Sequence, residues 1–422
     1  MAGGTTMNAE VLVVGGGMIG MTLAAALARG GLETQAIDRQ PPASVTGAAF
    51  DGRSSAIARG SQRVFEALGL WDSFAAAAQP ILDIRVSDGK LGGGVSGLFL
   101  HYDYREGAAE DDAAPPMGHI VENRALRQGL AQAVPRDGLT VLAPAELTAL
   151  ERGPRGVAAE LADGRRISAR LAISAEGRGA RLRQEAGIKT FGWSYPQVGI
   201  VGTISHEAPH HGLAHEHFLP AGPFAVLPMV DDAEGVHRSS IVWTERADIA
   251  PAMMALDEEN FNAEMQRRFG GSLGKLALYG GRRWAYPLSM QQAERYIDER
   301  LALIGDAAHV IHPIAGQGLN LGLRDVAALA ECLVDAHRLG LDPGDALALE
   351  RYQRWRRFDN FSLMAVTDGL NRLYSNDLPP VRLARDLGMA AVDRLPGLKR
   401  FFMGHAMGLA GDLPRLIRGE AL

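Results

Sequence analysis

The chain reads as an α/β protein: a strand–helix–strand unit at its start, β-rich segments through its middle and a helical region at its end. Three observations lead there. A short β-branched run at residues 10–14 stops at three glycines, and an apolar stretch with helical periodicity follows it. Residues 139–175 and 190–245 alternate in the manner of strands, with Gly and Pro between them. From residue 345 onward, Leu, Met and Phe recur at helical spacing.

Composition bounds the function. The 422 residues allow two or three lobes, at a prior of about 150 residues per domain. Apolar residues make up 47% and charged residues 22%, as in ordinary globular proteins rather than disordered ones. With 43 basic against 49 acidic residues the net charge is −6. That balance argues against a nucleic-acid binder held by phosphate contacts. The single cysteine, Cys332, leaves no partner for an intrachain disulfide or a cysteine zinc cluster. The apolar stretch at 18–28 is too short to span a bilayer, which takes about 20 residues. No basic region precedes it as in a signal peptide. The expected location is cytoplasmic, with peripheral attachment to the inner face of a membrane left open.

The elements follow in order. Residues 1–9 read as a polar lead-in and 10–14 as a buried strand. Residues 18–29 are rich in helix formers, closed by Gly30 and Gly31. Residues 34–37 are a second strand ending at Asp38, which completes a βαβ unit. Residues 41–60 read as a loop, 61–68 as a short amphipathic helix, and 80–121 as strands and loops with a soft acidic turn at 110–112. A helix at 123–133 has Asn123 as its expected N-cap. Asp163-Gly164 marks a hairpin turn. Residues 301–304 form a short apolar strand, and 319–339 a long helix.

Residues 15–20 match G-x-G-x-x-G, a pattern that needs weighing because Gly is 51 of the 422 residues. At that frequency, about 0.7 matches are expected by chance. A decoy does occur at Gly92, Gly94 and Gly97, but no apolar strand leads into it, so it reads as a loop. The first match follows a strand and opens a helix. Gly15, Gly17 and Gly20 allow a tight turn and close backbone approach. The amides of Met18 and Ile19 begin a helix whose N-terminus suits a pyrophosphate. Asp38, with Arg39 beside it, suits ribose hydroxyls. The bland alternative is a purely structural glycine turn.

A second motif spans residues 303–322. A buried strand delivers Gly305 and Asp306, Pro313 stiffens the turn, and Gly316-Gln317-Gly318-Leu319-Asn320 opens a helix. Asp306 can accept from a polyol hydroxyl, and the amides near 316–319 can face an electron-rich ring. A strand–loop–helix with a glycine cap is the structural alternative.

This second motif resembles the second FAD fingerprint of the group A flavoprotein aromatic hydroxylases, the para-hydroxybenzoate hydroxylase fold. In that family the Asp holds the ribityl chain, and the Gly-Gln-Gly-x-Asn loop lies beside the isoalloxazine. Asp51-Gly52-Arg53, Gly60-Ser61, Leu68-Gly69-Leu70-Trp71 and the run from Gly222 to Pro228 are similar to the hydroxylases of ubiquinone biosynthesis. The resemblance covers most of residues 9–345. It implies a Rossmann-like FAD-binding domain (1–75, 110–185 and 290–345) interleaved with a β-sheet substrate domain (76–109 and 186–289), then a C-terminal helical region (346–422). It assigns Arg53 to the FAD pyrophosphate and Asn123 to a polar FAD contact. Arg127, one turn later, reaches the same phosphates or is simply a solvated helix face. Pro313 and Gln317 are candidates for the flavin face, and no residue is identifiable as a catalytic base.

The resemblance further implies FAD as resident cofactor and NAD(P)H as transient electron donor. Reduced flavin then reacts with O2 through a C4a-hydroperoxide. The substrate is a polyprenylated phenol or quinone precursor, in a long apolar tunnel. One departure stands out: the family's third motif starts Asp-Gly, whereas here it reads Glu176-Gly177, with Arg183 retained. An FAD-linked reductase or a non-catalytic FAD-binding scaffold in a lipid-biosynthesis assembly stays open beside the hydroxylase.

Three tempting features read more plainly. His215 and His217 share a strand face, yet no Cys or ordered carboxylate set accompanies them, so a strand at the substrate-domain surface is expected and no metal site. Cys332 reads as a small core residue. Residues 381–418 mix apolar positions with seven basic residues, Arg382, Arg385, Arg394, Lys399, Arg400, Arg415 and Arg418, against Asp386, Asp393 and Asp412. That pattern fits helices at a lipid surface or in a ubiquinone-biosynthesis protein complex, or helices packed on the FAD-binding domain.

Overall fold

The computed structural model describes residues 6–47, 52–89, 95–105, 114–133, 137–375, 392 and 394–422. The acidic turn at 110–112, Asp51, Gly92, Gly94, Arg382, Arg385, Asp386 and Asp393 lie outside the described residues.

A six-stranded sheet forms the first layer. Val11–Val14 is wholly buried and lies between the parallel strands Leu171–Ser174 and Thr34–Ile37. An all-apolar strand suits a sheet covered on both faces. Leu301–Leu303 continues the sheet beside Leu171–Ser174, and Leu139–Leu142 closes the other edge. The helix Met18–Arg29 covers one face and packs on the long helix Gln317–Arg338. That long helix buries residues all round, from Leu323 and Val326 to Cys332 and Leu333, as a central core helix must.

An eight-stranded sheet forms the second layer. Its spine is the antiparallel pair Thr190–His206 and Leu276–Ala293. Outward from them run Arg238–Arg246, Gly222–Met229, Leu213–Leu219, Asp83–Gly89 and Val95–Asp103. Period-two alternation gives this sheet two different faces. Ile200, Phe224, Ile241 and Trp243 pack under the helices Ala250–Ala255 and Glu258–Phe269 with Phe261 and Met265. The opposite face looks onto the first layer. The C-terminal helices Ala346–Tyr374, Pro396–Ala406 and Arg415–Arg418 close the molecule.

Several expectations need correcting. Residues 6–8 are not lead-in: Thr6–Asn8 pairs in parallel with Arg166–Ala169. The loop expected at 41–60 contains the helix Pro42–Thr46 and the strand Ser54–Ala58, whose Ile57 is fully buried. Gly97 of the decoy lies in the strand Val95–Asp103. The strand bearing His215 and His217 is internal rather than peripheral, because Leu213–Leu219 is paired on both sides.

Candidate functional site

The glycine loop divides into two kinds of position. Gly15 has φ +110, and a Cβ there would lie 2.4 Å from the Ala175 carbonyl oxygen. A Cβ on Gly20 would sit 1.9 Å from the Gly15 carbonyl oxygen, so the turn closes only on bare backbone. Gly17 differs: nothing lies within 4 Å of its Cβ position. It precedes the helix Met18–Arg29, which has no side-chain cap and no acid in its first turn. The orphan amides of Met18 and Ile19 therefore open onto free space, as an anion site requires. The Ile19 side chain turns inward and packs against Gly305 and Gly322. Asp38 closes the loop, accepting from Gly16 N at 2.6 Å and Gln40 N at 2.7 Å. Arg39 is exposed next to it.

The second motif meets this loop from the long helix. Gly305 has φ +58 and leads Asp306 into a large cavity. Among the described residues the Asp306 carboxylate has no hydrogen-bond partner. Its surface is open to the cavity, but the protein mass around it raises its pKa, while His309 and Arg178 pull the other way. Gly316, in the left-handed region, ends the turn after Pro313 and caps the helix Gln317–Arg338. Pro313, Gly316, Gln317, Gly318 and Leu319 all line the cavity. Asn320 lines it too, but its side chain holds the neighbouring strand: Oδ1 accepts from Ala58 N and Nδ2 donates to Ala56 O, both at 2.9 Å.

The altered third motif has a structural account. Glu176 Oε2 accepts from Ser174 Oγ at 2.8 Å and from Leu182 N at 3.1 Å, so it caps the short helix Arg181–Glu185. Buried Arg183 donates to Ala307 O at 2.8 Å and to Arg178 O at 2.9 Å, tying this loop to the Asp306 turn. Asn123 is the first residue of its helix rather than its cap, and its Oδ1 accepts from Ser55 Oγ at 2.6 Å. Arg53 is exposed at the cavity, with its guanidinium over the Tyr286 ring at 5.8 Å. Arg127 is half-buried and does not line the cavity.

The sequence reading missed three groups. Arg178 lines the cavity and acts electrostatically on Asp306. Asp325, fully buried beneath the Asp306 turn, accepts from Gly305 N at 3.0 Å and from Arg356 Nε at 2.9 Å, and meets His309 Nε2 at 2.5 Å. Burial opposes its ionisation, but His309 and Arg356 prevail and hold its pKa at about 2. An acid followed directly by the apolar residues 326–330 of a long helix was the available signal. The third group, Glu216, lies on the β-sheet wall of the cavity. Of the histidines, His217 Nδ1 lies 2.9 Å from Ser87 Oγ, and His215 packs edge-on against Phe269.

The cavity measures about 840 Å³. Arg53, Arg178, Asp306 and Gln317 are among its polar lining groups; the sheet wall is largely apolar, with Val86, Leu100, Val201 and Val242, and is interrupted by Glu216, Ser240 and Thr244. An open glycine cradle at a helix start, an unpartnered carboxylate in the cavity and a second helix start beside it fit an FAD.

The architecture and site define a flavoprotein of the FAD-binding-domain family: the model of that family matches residues 8–357, and the chain belongs to it. Within it the chain falls among the ubiquinone hydroxylases. It is 51% identical to "Ubiquinone hydroxylase UbiL" of Rhodospirillum rubrum, covering 100% of this chain and 95% of the relative. It is 34% identical to "3-demethoxyubiquinol 3-hydroxylase" of Escherichia coli, covering 96% and 100%. The p-nitrophenol 4-monooxygenase PnpA of Pseudomonas putida DLL-E4 shares the fold, with a TM-score of 0.77 at 19% identity over 96% of this chain and 99% of that one.

Proposed function

We propose that this protein is an FAD-dependent monooxygenase that hydroxylates the aromatic ring of a polyprenylated phenol on the way to ubiquinone. Bound FAD supplies the redox chemistry, with electrons from NAD(P)H and the oxygen atom from O2. The observation that carries this reading is one cavity of about 840 Å³ that joins the Asp306 carboxylate and the helix start at 316–319 to a largely apolar sheet wall. An apolar lining favours a prenyl tail by about 0.8 kcal/mol for each CH2 it buries.

The roles of individual residues are part of the proposal. The free amides at Gly17–Ile19 receive the pyrophosphate, with Arg53 beside it. Asp38 keeps lone pairs for the ribose after its two backbone bonds. Asp306 takes a ribityl hydroxyl, and the helix start at 316–319 faces the negative edge of the reduced ring. The division into an FAD-binding domain (1–75, 110–185, 290–345) and a substrate domain (76–109, 186–289) belongs to the same reading.

A peripheral membrane contact completes it. The helix Pro396–Ala406 turns Phe402 and Met403 to the cavity, while Leu398 and Phe401 are 38% and 57% exposed. One helix thus touches both the substrate space and the outside, as delivery of a lipid substrate demands. The basic excess behind this idea is thinner than the sequence suggests: Arg415 is paired with Glu331 and Asp335, and Arg418 with Glu420. Among the described residues, no helix is long and apolar enough to cross a membrane.

Profiling quinone intermediates in a deletion strain tests the reading. Accumulation of a precursor lacking one ring hydroxyl is expected; an unchanged quinone pool would count against it.

A further inference from the structure

The sheet wall of the cavity carries one charge in an unexpected place. A single cross-strand row runs Val201, Val242, Ala225, Glu216, Val86, Leu100, each paired with the next. All six line the cavity. Every member but Glu216 is apolar. Its neighbours on the same face of its own strand, Ala214 and Phe218, are apolar and line the cavity as well. Phe218 is itself held by the Tyr374 ring, with centroids 4.1 Å apart.

Among the described residues Glu216 has neither a hydrogen-bond nor an ion-pair partner. Burying a carboxyl without a partner costs stability, and a leucine here would continue the apolar wall. The group is therefore poised for something that enters the cavity. A metal ion is a poor match, because no three His, Cys, Asp or Glu side chains among the described residues gather to hold one. A phosphate would be repelled. A neutral O–H donor on an otherwise apolar molecule matches both the carboxylate and its surroundings.

We propose that Glu216 accepts the hydrogen bond of a ring hydroxyl on the substrate, and so fixes how the aromatic ring lies in the cavity. The assignment rests on the hydroxylase reading above and adds to it the residue that recognises the phenol. Ser240 and Thr244 also line the wall, but a carboxylate is the stronger acceptor for a phenolic proton. The protein around the half-buried Glu216 raises its pKa to about 7, so the carboxylate form that accepts from a phenol prevails above neutral pH, where the preference should be read.

The test compares two ligands on the holoenzyme: a long-chain alkylphenol and the methyl ether of the same alkylphenol. Binding is read from the change in flavin absorbance. The wild-type protein should prefer the phenol by roughly 10- to 100-fold, the range of a buried bond to a charged acceptor. Glu216→Leu should retain FAD and bind both ligands about equally. Glu216→Gln, whose amide oxygen still accepts, should keep a reduced preference. Phe218→Leu, on the same face, should weaken both ligands alike. Undiminished discrimination in Glu216→Leu would overturn the proposal. A wild-type holoenzyme that binds neither ligand and hydroxylates no polyprenylphenol would overturn the hydroxylase reading, whatever Glu216 does.

Discussion

Two glycines three residues apart should fail in opposite ways. Gly17 has φ −68 and ψ 177, a conformation open to any residue, and its Cβ position is clear of protein atoms to 4 Å. Gly17→Val therefore asks nothing of the fold beyond a poorer cap, a change of about 1 kcal/mol or less. The valine instead fills the approach to the free amides of Met18 and Ile19. Gly20→Ala is the reverse case. Its methyl would stand 1.9 Å from the Gly15 carbonyl oxygen, where ordinary contact begins at 3.4 Å. The loop or the helix must move, at the roughly 1–3 kcal/mol of an overpacked core. At about 2–4 °C per kcal/mol, that is a fall of roughly 2–12 °C in Tm. The assay pairs thermal melts of the apo-proteins with FAD titration by flavin fluorescence. Gly17→Val should melt close to wild type and lose FAD affinity by at least about tenfold, as when a ligand is sterically displaced from its hydrogen bonds. Gly20→Ala should melt lower before any FAD is added. Wild-type FAD affinity in Gly17→Val would refute the assignment of this loop to the pyrophosphate.

Further outcomes follow from the same geometry. Asp306→Ala should weaken FAD binding by about 1–3 kcal/mol, seen as flavin lost on gel filtration. Asp325→Asn should destabilise the protein by about 1–3 kcal/mol in denaturant melts, because buried Arg356 and His309 lose the carboxylate between them and Arg356 keeps only Asp359 as counter-charge. The Asp325 pKa is depressed from 3.8 to about 2, so its stabilisation is complete above about pH 4 and lost as pH falls toward 2. His119, His215 and His312 are held neutral by burial, each with a pKa near 4. The unfolded chain binds their protons first, so Tm should begin to fall below about pH 6.5, well before the carboxylates titrate. Leu398→Ser combined with Phe401→Ser, two exposed positions of the helix Pro396–Ala406, should leave FAD bound and weaken sedimentation with anionic liposomes; unchanged sedimentation would exclude this helix as the contact.

Local signals carried the glycine loop and the Asp306 turn into the sequence reading. Both depend on residues within a short window: a strand, a turn that only glycine permits, a helix start. What stayed hidden was set by pairing across distance. Asn320 looks like a ring contact beside Gly318, yet its amide is spent on Ala56 and Ala58, far away in sequence. Glu176 looks like a weakened motif until its longer side chain is seen to reach Leu182 N. Glu216 sat in a strand dismissed as peripheral, because neither the parallel partner Asp83–Gly89 nor the cavity beneath it is written locally. The strand Leu276–Ala293 went unread for the same reason, whereas the helix Glu258–Phe269 had a local signal in its Asp257 cap, two acids in its first turn and two arginines in its last.

Oxygen transfer from O2 to the phenol ring leaves an isotopic mark on the product. The holoenzyme is incubated with NAD(P)H, a polyprenylphenol and 18O2, and the lipid product is analysed by mass spectrometry. A ring-hydroxylated product carrying one 18O atom is expected. NAD(P)H consumption that yields only hydrogen peroxide, or a reduced lipid without label, would contradict it.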